Sequence, residues 1–241
     1  MEIKAGDMHF KTLNNLVRTS EDREVIITDC LGQRYIGAGV TDKDITIYGT
    51  PGNALGAYLT DTNITLHGNG QDATGDTMDN GEILIYGNCG DTTGYGMRGG
   101  KIIIKGNAGY RVGIHMKEYQ EHKPAIVIGG KVGDFLGEYQ AGGTIVVLGI
   151  GEPTEFAPVG DFCGTGMHGG AIYIRSEHLP NALPKQVSAE EVTRDELGDA
   201  TALIEEYCDK FGVDKEEILN SHFFKLTPNS ANPYKQLYTH N

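Results

Sequence analysis

The sequence predicts an all-β solenoid: a right-handed parallel β-helix of about seven to eight coils, with a small C-terminal helical appendage. Three observations predict it. Isoleucine recurs every 19 residues, glycine recurs at the same interval, and 35 of the 241 residues are glycine, about twice the usual share of roughly 7%. A unit of this length is too short for a strand, a crossover helix and a second strand, which need about 30 residues. It can form one coil of short strands, for which a right-handed connection is the rule.

Short apolar runs mark one strand in each repeat, and two columns of residues follow the period. The first column consists of Ile26, Ile45, Ile64, Ile83, Ile102, Ile126, Ile145 and Ile172. The second consists of Thr28, Ile47, Leu66, Ile85, Ile104, Ile128, Val147 and Ile174. Residues two apart lie on the same face of a strand, so the two columns predict one continuous interior face.

The bends between strands carry glycine in register with the strands. One set follows each strand directly, at Gly49, Gly68, Gly87, Gly106, Gly130 and Gly149; the second marks a later corner, at Gly37, Gly56, Gly75, Gly94, Gly113, Gly137 and Gly164. Glycine suits such corners because it adopts positive φ and allows close backbone approach. A third interior column reads Val40, Leu59, Met78, Met97, Met116, Gln140 and Met167. A leucine-rich repeat, the competing solenoid, would need an LxxLxL pattern that is missing.

The predicted domains are an N-terminal cap at residues 1–24, the β-helix at 25–176, and a linker, helical segment and docking tail at 177–241. Ser188 to Glu191 is typical of a helix-starting capping box. A helical face then runs from Ala200 to Phe211, Gly212 ends that helix, and Asp214 is expected to cap another. The C-terminal tail is rich in apolar and aromatic side chains, so we expect it either to fold back on the β-helix or to dock onto another subunit. These side chains are Phe223, Phe224, Leu226, Tyr234, Leu237 and Tyr238.

Charge and composition exclude several classes of partner. The formal net charge is −13 and the isoelectric point is near 5.0, whereas nucleic acids and anionic membranes require clustered Lys and Arg. No apolar stretch approaches the ~20 residues of a membrane helix. The four cysteines form no CxxC pair, so we expect reduced thiols and a cytoplasmic protein.

Motifs that could carry chemistry have structural interpretations here. Two GxGxxG matches, at 94–99 and 164–169, each run into a strand rather than the helix that a dinucleotide fingerprint requires. Three histidines, His115, His122 and His168, could act as metal ligands together with Cys163 or Asp161. Their spacing, however, fits no zinc pattern.

Other candidate catalytic groups are equally isolated. No serine lies in a GxSxG context. Asp76 and Glu138 share a column that other residues interrupt, and Arg98 and Arg111 are interpreted as surface arginines in salt bridges. The sequence therefore predicts no catalytic, cofactor-binding or metal-binding residues.

Several long motifs resemble a known domain. GQRYIGAG (32–39), GNGQDATGDTM (68–78), GDTTGYGMRGGKIIIKGNAGYRVGIHMKEY (90–119) and AIVIGG (125–130) resemble the glycine-repeat C-terminal domain of the glutamate synthase large subunit. The same residues are similar to the C-type subunit of formylmethanofuran dehydrogenase and to its formyltransferase/hydrolase counterpart. The similarity covers about residues 5 to 176. It implies a right-handed β-helix without catalytic residues of its own.

The resemblance implies a structural subunit of a split glutamate synthase, which makes two glutamates from glutamine and 2-oxoglutarate. It implies glutaminase and synthase subunits as partners, FMN and an iron–sulfur cluster in those partners but none on this chain, and a homo-oligomer as one possibility. A scaffold in a formylmethanofuran-processing complex is the alternative, and an independent carbohydrate-active enzyme is a third hypothesis. The two interruptions of the period, Lys117–Pro124 and Ile150–Asp161, are the predicted partner contacts.

Overall fold

A computed structural model describes residues 1–229 of the chain. It contains one sheet in the order β1-β2-β3-β4-β5-β6-β7-β8-β9-β11-β10. Neighbouring strands are parallel from β1 to β9, and β11 lies antiparallel between β9 and β10. The strands are β1 (Glu2–Lys4), β2 (Glu24–Leu31), β3 (Asp44–Thr50), β4 (Asn63–His67), β5 (Glu82–Ile85), β6 (Lys101–Ile104), β7 (Ala125–Ile128), β8 (Ala141–Val147), β9 (Gly169–Arg175), β10 (Val187–Val192) and β11 (Phe223–Pro228).

The predicted fold class is wrong. In place of an all-β solenoid of the right-handed parallel β-helix type, the structure has a single open, mixed and mostly parallel sheet of 11 strands with few helices. Each repeat contributes one strand to this sheet. The rest of the repeat consists of turns whose residues include non-glycine positions at positive φ, such as Ala54 at 62° and Ala73 at 57°, and this conformation does not continue a strand.

The period predicted the pairing of seven strands correctly. Each first-column residue from Ile45 onward pairs with its equivalent on the next strand, as Ile64 does with Ile83. These residues are at most 1% exposed. The second column from Ile47 and the Met column are buried as well. Together they fill one continuous core behind the inner face of the sheet.

The first repeat departs from the predicted columns. Val25 and Ile27, not Ile26 and Thr28, pair with Ile45 and Ile47. Ile26 points outward and is 41% exposed. The register shifts between Ile27 and Cys30, where β2 contains one extra residue, a β-bulge. Paired residues of β2 and β3 are therefore 20 positions apart before the bulge and 19 after it. One extra residue turns the side chains on one side of the bulge to the opposite face of the sheet.

The later glycine corner is required both by conformation and by space. From Gly37 to Gly164 its glycines have φ between 64° and 73°. From Gly56 onward, the N–H of each of these corner glycines donates to a carbonyl oxygen of the preceding repeat. The Gly75 N–H, for example, donates to Leu55 O at 2.8 Å. A Cβ on Gly75 would overlap the Ile102 side chain. These corners therefore close over the isoleucine column.

Three of the glycines that follow strands, Gly87, Gly106 and Gly130, have another cause, which the sequence interpretation missed. Asparagine side chains accept backbone N–H groups from the next repeat: Asn69 from Asn88 at 2.9 Å, and Asn88 from Asn107 at 2.8 Å. Asp72, Asp91 and Asp134 do the same for Asp91, Tyr110 and Asp161. A Cβ on Gly87 or Gly106 would overlap the asparagine oxygen beneath it. The signal was present, because Asn69, Asn88 and Asn107 keep the 19-residue interval.

Helices cover one end and part of the outer face of the sheet. α1 (Phe10–Thr19) buries Leu13 and Val17 against the core. α2 (Asp199–Phe211) and α3 (Lys215–Leu219) pack on outward-facing apolar residues of the strands. This second cluster joins Leu84, Ile103, Val127, Val146 and Tyr173 to residues such as Ile204, Tyr207 and Leu219.

The predicted ends of these helices are partly confirmed. Gly212 terminates α2 at φ 67°, and the Asp214 side chain caps α3 by accepting two N–H groups. The predicted capping box at Ser188–Glu191 is wrong, since those residues lie in β10. The capping box is formed by Thr193 and Glu196 at a short 3-10 helix, Arg194–Glu196.

The C-terminal segment folds back, in part, as one of the two predicted alternatives. Phe223, Phe224 and Leu226 are buried in β11. Tyr234, Leu237 and Tyr238 lie outside the described residues. The division of the chain into three domains stays a prediction.

Candidate functional site

The two GxGxxG segments lie in turns that lead into strands. Gly94 and Gly96 have φ of 71° and 58° and precede β6, and Gly164 and Gly166 occupy the same place before β9. The Gly94 N–H donates to Thr74 O at 2.8 Å. A phosphate cradle needs free backbone N–H groups at a helix N-terminus; here the amide is used between repeats and a strand follows.

The histidine candidates are separated by the fold. His115 stacks on Tyr139, with ring centroids 5.1 Å apart, and meets Tyr95 edge-on. His122 belongs to a small turn with Tyr119, and the His168 backbone N–H donates to Gln140 O. Within residues 1–229, no three His, Cys, Asp or Glu side chains converge as metal ligands would.

The cysteines are buried thiols. Burial raises the pKa of Cys163 to about 12 and that of Cys30 to about 11. Burial is also the largest influence on Cys89 and Cys208, whose pKa values are raised. Because the thiolate is the nucleophile and the metal ligand, these environments keep the groups protonated and unreactive near neutral pH.

The carboxylate and arginine candidates form separate local contacts. Asp76 accepts a hydrogen bond from Thr77 at 2.8 Å. Glu138 pairs with Arg111 at 2.9 Å, and the Arg111 guanidinium lies over the Phe135 ring, which confirms the salt-bridge interpretation for this arginine. Arg98 instead donates to Gly96 O. Asp76 and Glu138 thus have different partners.

The first interruption of the period forms a compact turn. Tyr119 and His122 exchange backbone hydrogen bonds of 3.0 and 3.1 Å. Glu118 accepts the Gly143 N–H at 2.9 Å, and Lys123 reaches Asp199 in α2 at 3.5 Å. This insertion is thus bound to the sheet and to the helical layer of its own chain.

The second interruption forms a projecting loop with a concave surface on either side. Its tip residue, Phe156, is 69% exposed. One hollow, of about 140 Å³, lies between the loop and Arg175, Ser221 and His222. The other, of about 310 Å³, lies between the loop and Lys131 and Val132. Phe156 lines both hollows, so the loop separates two neighbouring concave surfaces.

A histidine at the edge of the smaller hollow ties three segments together. His222 Nδ1 lies 2.9 Å from the Ser176 carbonyl oxygen, and Nε2 lies 3.5 Å from a Glu191 oxygen. The Ser176 carbonyl, with Glu191 and Glu177, raises the pKa of His222 above its ordinary value of 6.5. When protonated, the ring donates Nδ1–H to the Ser176 carbonyl and forms an ion pair with Glu191, so it links the segment after β9, strand β10 and the segment before β11.

This contact predicts a pH dependence of stability. Because the folded-state pKa is the higher one, the contribution is fully present below about pH 6.5 and is lost as the pH rises through the folded-state value. We expect the urea midpoint of the wild type to fall, relative to that of His222→Gln, between about pH 6 and pH 8. Parallel pH profiles for the two proteins would contradict the prediction, and NMR titration of the His222 ring would give its pKa directly.

The model of the GXGXG motif family matches residues 7–229. The chain belongs to the GXGXG motif family.

Within residues 1–229 no helix has the length and apolar character needed to cross a membrane.

Two relatives of this GXGXG protein are informative. The uncharacterized protein MJ1350 of Methanocaldococcus jannaschii is 44% identical over an alignment of 249 positions, which covers 98% of this chain and 95% of that protein. Among solved structures, a chain of the formyltransferase/hydrolase complex of Methylorubrum extorquens, determined with methylofuran, superposes with a TM-score of 0.63 at 19% identity. The match covers 95% of this chain and 91% of that chain. At this identity the structural match shows a shared fold.

Proposed function

We propose that this chain is a non-catalytic structural subunit of a multi-subunit complex of the formyltransferase/hydrolase kind. The observation that carries the proposal is the match, along nearly the full length of both chains, to a chain of such a complex. The match covers 95% of this chain and 91% of that chain. It supports a scaffold in a formylmethanofuran-processing complex, which was the alternative in the sequence interpretation.

The way the repeats use their polar groups supports a structural role. The glycine amides and the asparagine and aspartate oxygens that line the bends bond to neighbouring repeats. These amides and oxygens therefore hold the repeats together, which suits a rigid support for catalytic partners.

The glutamate synthase assignment receives less support. Neither MJ1350 nor the Methylorubrum chain is named as a glutamate synthase, and the solved structure belongs to the other kind of complex. The carbohydrate-active hypothesis needs paired carboxylates, whereas Asp76 and Glu138 are bound to different partners.

Purification from the native organism tests the proposal. The chain would carry an affinity tag at its own locus, and co-purifying proteins would be identified by mass spectrometry and quantified against an untagged strain. We expect stoichiometric recovery of formyltransferase/hydrolase-type subunits. Recovery with glutaminase and FMN-binding proteins would replace this proposal with the glutamate synthase one, and recovery of the chain alone would contradict both.

A further inference from the structure

The two ends of the array of repeats are closed to different extents. At the N-terminal end, α1 covers the core with Leu13 and Val17, both of which are fully buried. At the C-terminal end the sheet finishes with β10. Val187 and Ala189 of that strand pack against the same core but are only half-buried. The C-terminal end therefore leaves apolar surface next to the core uncovered.

The core side and the outer edge of β10 are both open. Glu191 lies in the same row as Phe224 and Ile174, which are buried on the core side, yet the Glu191 side chain is 72% exposed. Within residues 1–229, no strand pairs with the outer edge of β10. Such an edge presents free N–H and C=O groups, which proteins commonly cover.

We propose that residues 230–241, the C-terminal tail, cover this end of their own chain and place Tyr234, Leu237 and Tyr238 against the core side of β10. These three residues have the i, i+3, i+4 spacing that puts side chains on one face of a helix. α1 uses the same spacing at the opposite end of the array. A stack of repeats needs a cap at each end, and the tail supplies the second one.

The described chain stops beside the uncovered surface. Asn229 N–H donates to Gln186 O at 2.9 Å, and the Asn229 side-chain amide donates to Lys185 O at 2.7 Å. Pro228 pairs with Val187, the first residue of β10. At about 3.3 Å per residue the tail can extend to about 40 Å, roughly twice the length of β10. The apolar residues of the tail are thus within reach of the whole strand.

Attachment selects the chain's own tail over other occupants. A segment on a short linker meets a nearby surface at an effective concentration in roughly the millimolar range, provided that the linker can span the distance. A second copy or a different protein at micromolar concentration competes about 1,000-fold less well for equal contacts. The position of the exit therefore favours closure within one chain.

Hydrogen–deuterium exchange of the full chain tests the proposal. Exchange is followed in residues 187–192 of the wild type, of the double variant Tyr234→Ser/Leu237→Ser, and of Gln236→Ser. Gln236→Ser is the matched control, because Gln236 belongs to the tail but not to its apolar set. Circular dichroism and the melting midpoint of each variant show that the fold is kept.

We expect these amides to exchange at least about tenfold faster in the double variant than in the wild type, and Gln236→Ser to match the wild type. Equal exchange in the wild type and the double variant would overturn the tail as a cap and leave the proposed function standing. Protection that rises with protein concentration would overturn it in favour of a second copy. Protection that appears only with co-purified subunits would overturn it in favour of a different protein.

A disulfide experiment locates the tail directly. Leu237→Cys is combined either with Ala189→Cys, on the core side of β10, or with Ser188→Cys, on the opposite side of the same strand. The four native cysteines are buried. Under mild oxidation we expect the pair with Ala189→Cys to form a disulfide within one chain at least about tenfold faster than the pair with Ser188→Cys, because a disulfide requires adjacent Cβ atoms. Equal rates for the two pairs would overturn the placement of the tail.

Discussion

Replacing Ile85 with alanine is expected to lower the free energy of unfolding by about 2 to 5 kcal/mol. Ile85 is fully buried on β5 and pairs with Leu66 and Ile104 on the neighbouring strands. The substitution removes three carbon atoms from the middle of a continuous column, and close packing limits how far the neighbours can move to fill the space. Urea denaturation at equilibrium measures the loss.

Ile26→Ala is the control for this experiment. The residue type is the same, and simple extension of the period places Ile26 in the interior column, but the structure leaves it 41% exposed. We expect Ile26→Ala to cost less than about 1 kcal/mol. Equal losses for the two variants would contradict the bulge in β2 and the burial that follows from it.

Replacing Gly68 with alanine is expected to cost at least about 3 kcal/mol, or to prevent folding. A Cβ at this position would overlap the carbonyl oxygen of Gly49 in the repeat below. Backbone in a paired repeat cannot move aside as the end of a flexible side chain can. The lost stability is measured from the urea midpoint and slope.

Gly39→Ala is the matched control. Gly39 has φ of 60°, but nothing lies within 4 Å of an added Cβ. The equivalent corner in later repeats is occupied by Tyr58 and Thr77 at φ of 55° and 53°. We expect a loss of about 1 kcal/mol, the usual cost of a left-handed alanine. A Gly68→Ala variant as stable as Gly39→Ala would show that the repeats can separate enough to admit a methyl group between Gly49 and Gly68.

The period in the sequence predicted strand pairing well because the same contact occurs many times along the chain. A column such as Ile64, Ile83 and Ile102 has to stay in register for each isoleucine to remain buried, and it does. The exception was a single inserted residue near Asp29, which has φ of 53°. Nothing in the local composition distinguishes that bulge, since its effect appears only through the pairing of β2 with β3.

The predicted fold class was wrong because a repeat period does not specify how many strands a repeat contains. The turn segments between strands have left-handed residues such as Thr92 and Arg111, and such conformations at non-glycine positions have no strong sequence signal. The antiparallel insertion of β11 between β9 and β10 was equally hidden. Phe224 pairs with Ile174 and Glu191, far away in the chain.

The sequence predicted the position of the second interruption but not the surface that it forms. The sequence located the interruption at Ile150–Asp161, because the period breaks there. It could not place Phe156 beside Arg175 and His222, which meet it only after β9 and β11 are paired. Nor could it separate this loop from the first interruption, which is bound to its own chain through Glu118 and Lys123.

The sequence by itself determined the repeat, the register of β3 to β9, the buried isoleucine and methionine columns, and the helix that ends at Gly212. These features depend on local spacing, which the order of residues specifies directly. The tertiary structure alone decided that the strands form one open mixed sheet, that β2 contains a bulge, and which interruption of the period projects. Those outcomes depend on contacts between residues far apart in the chain, whose energies no local pattern records.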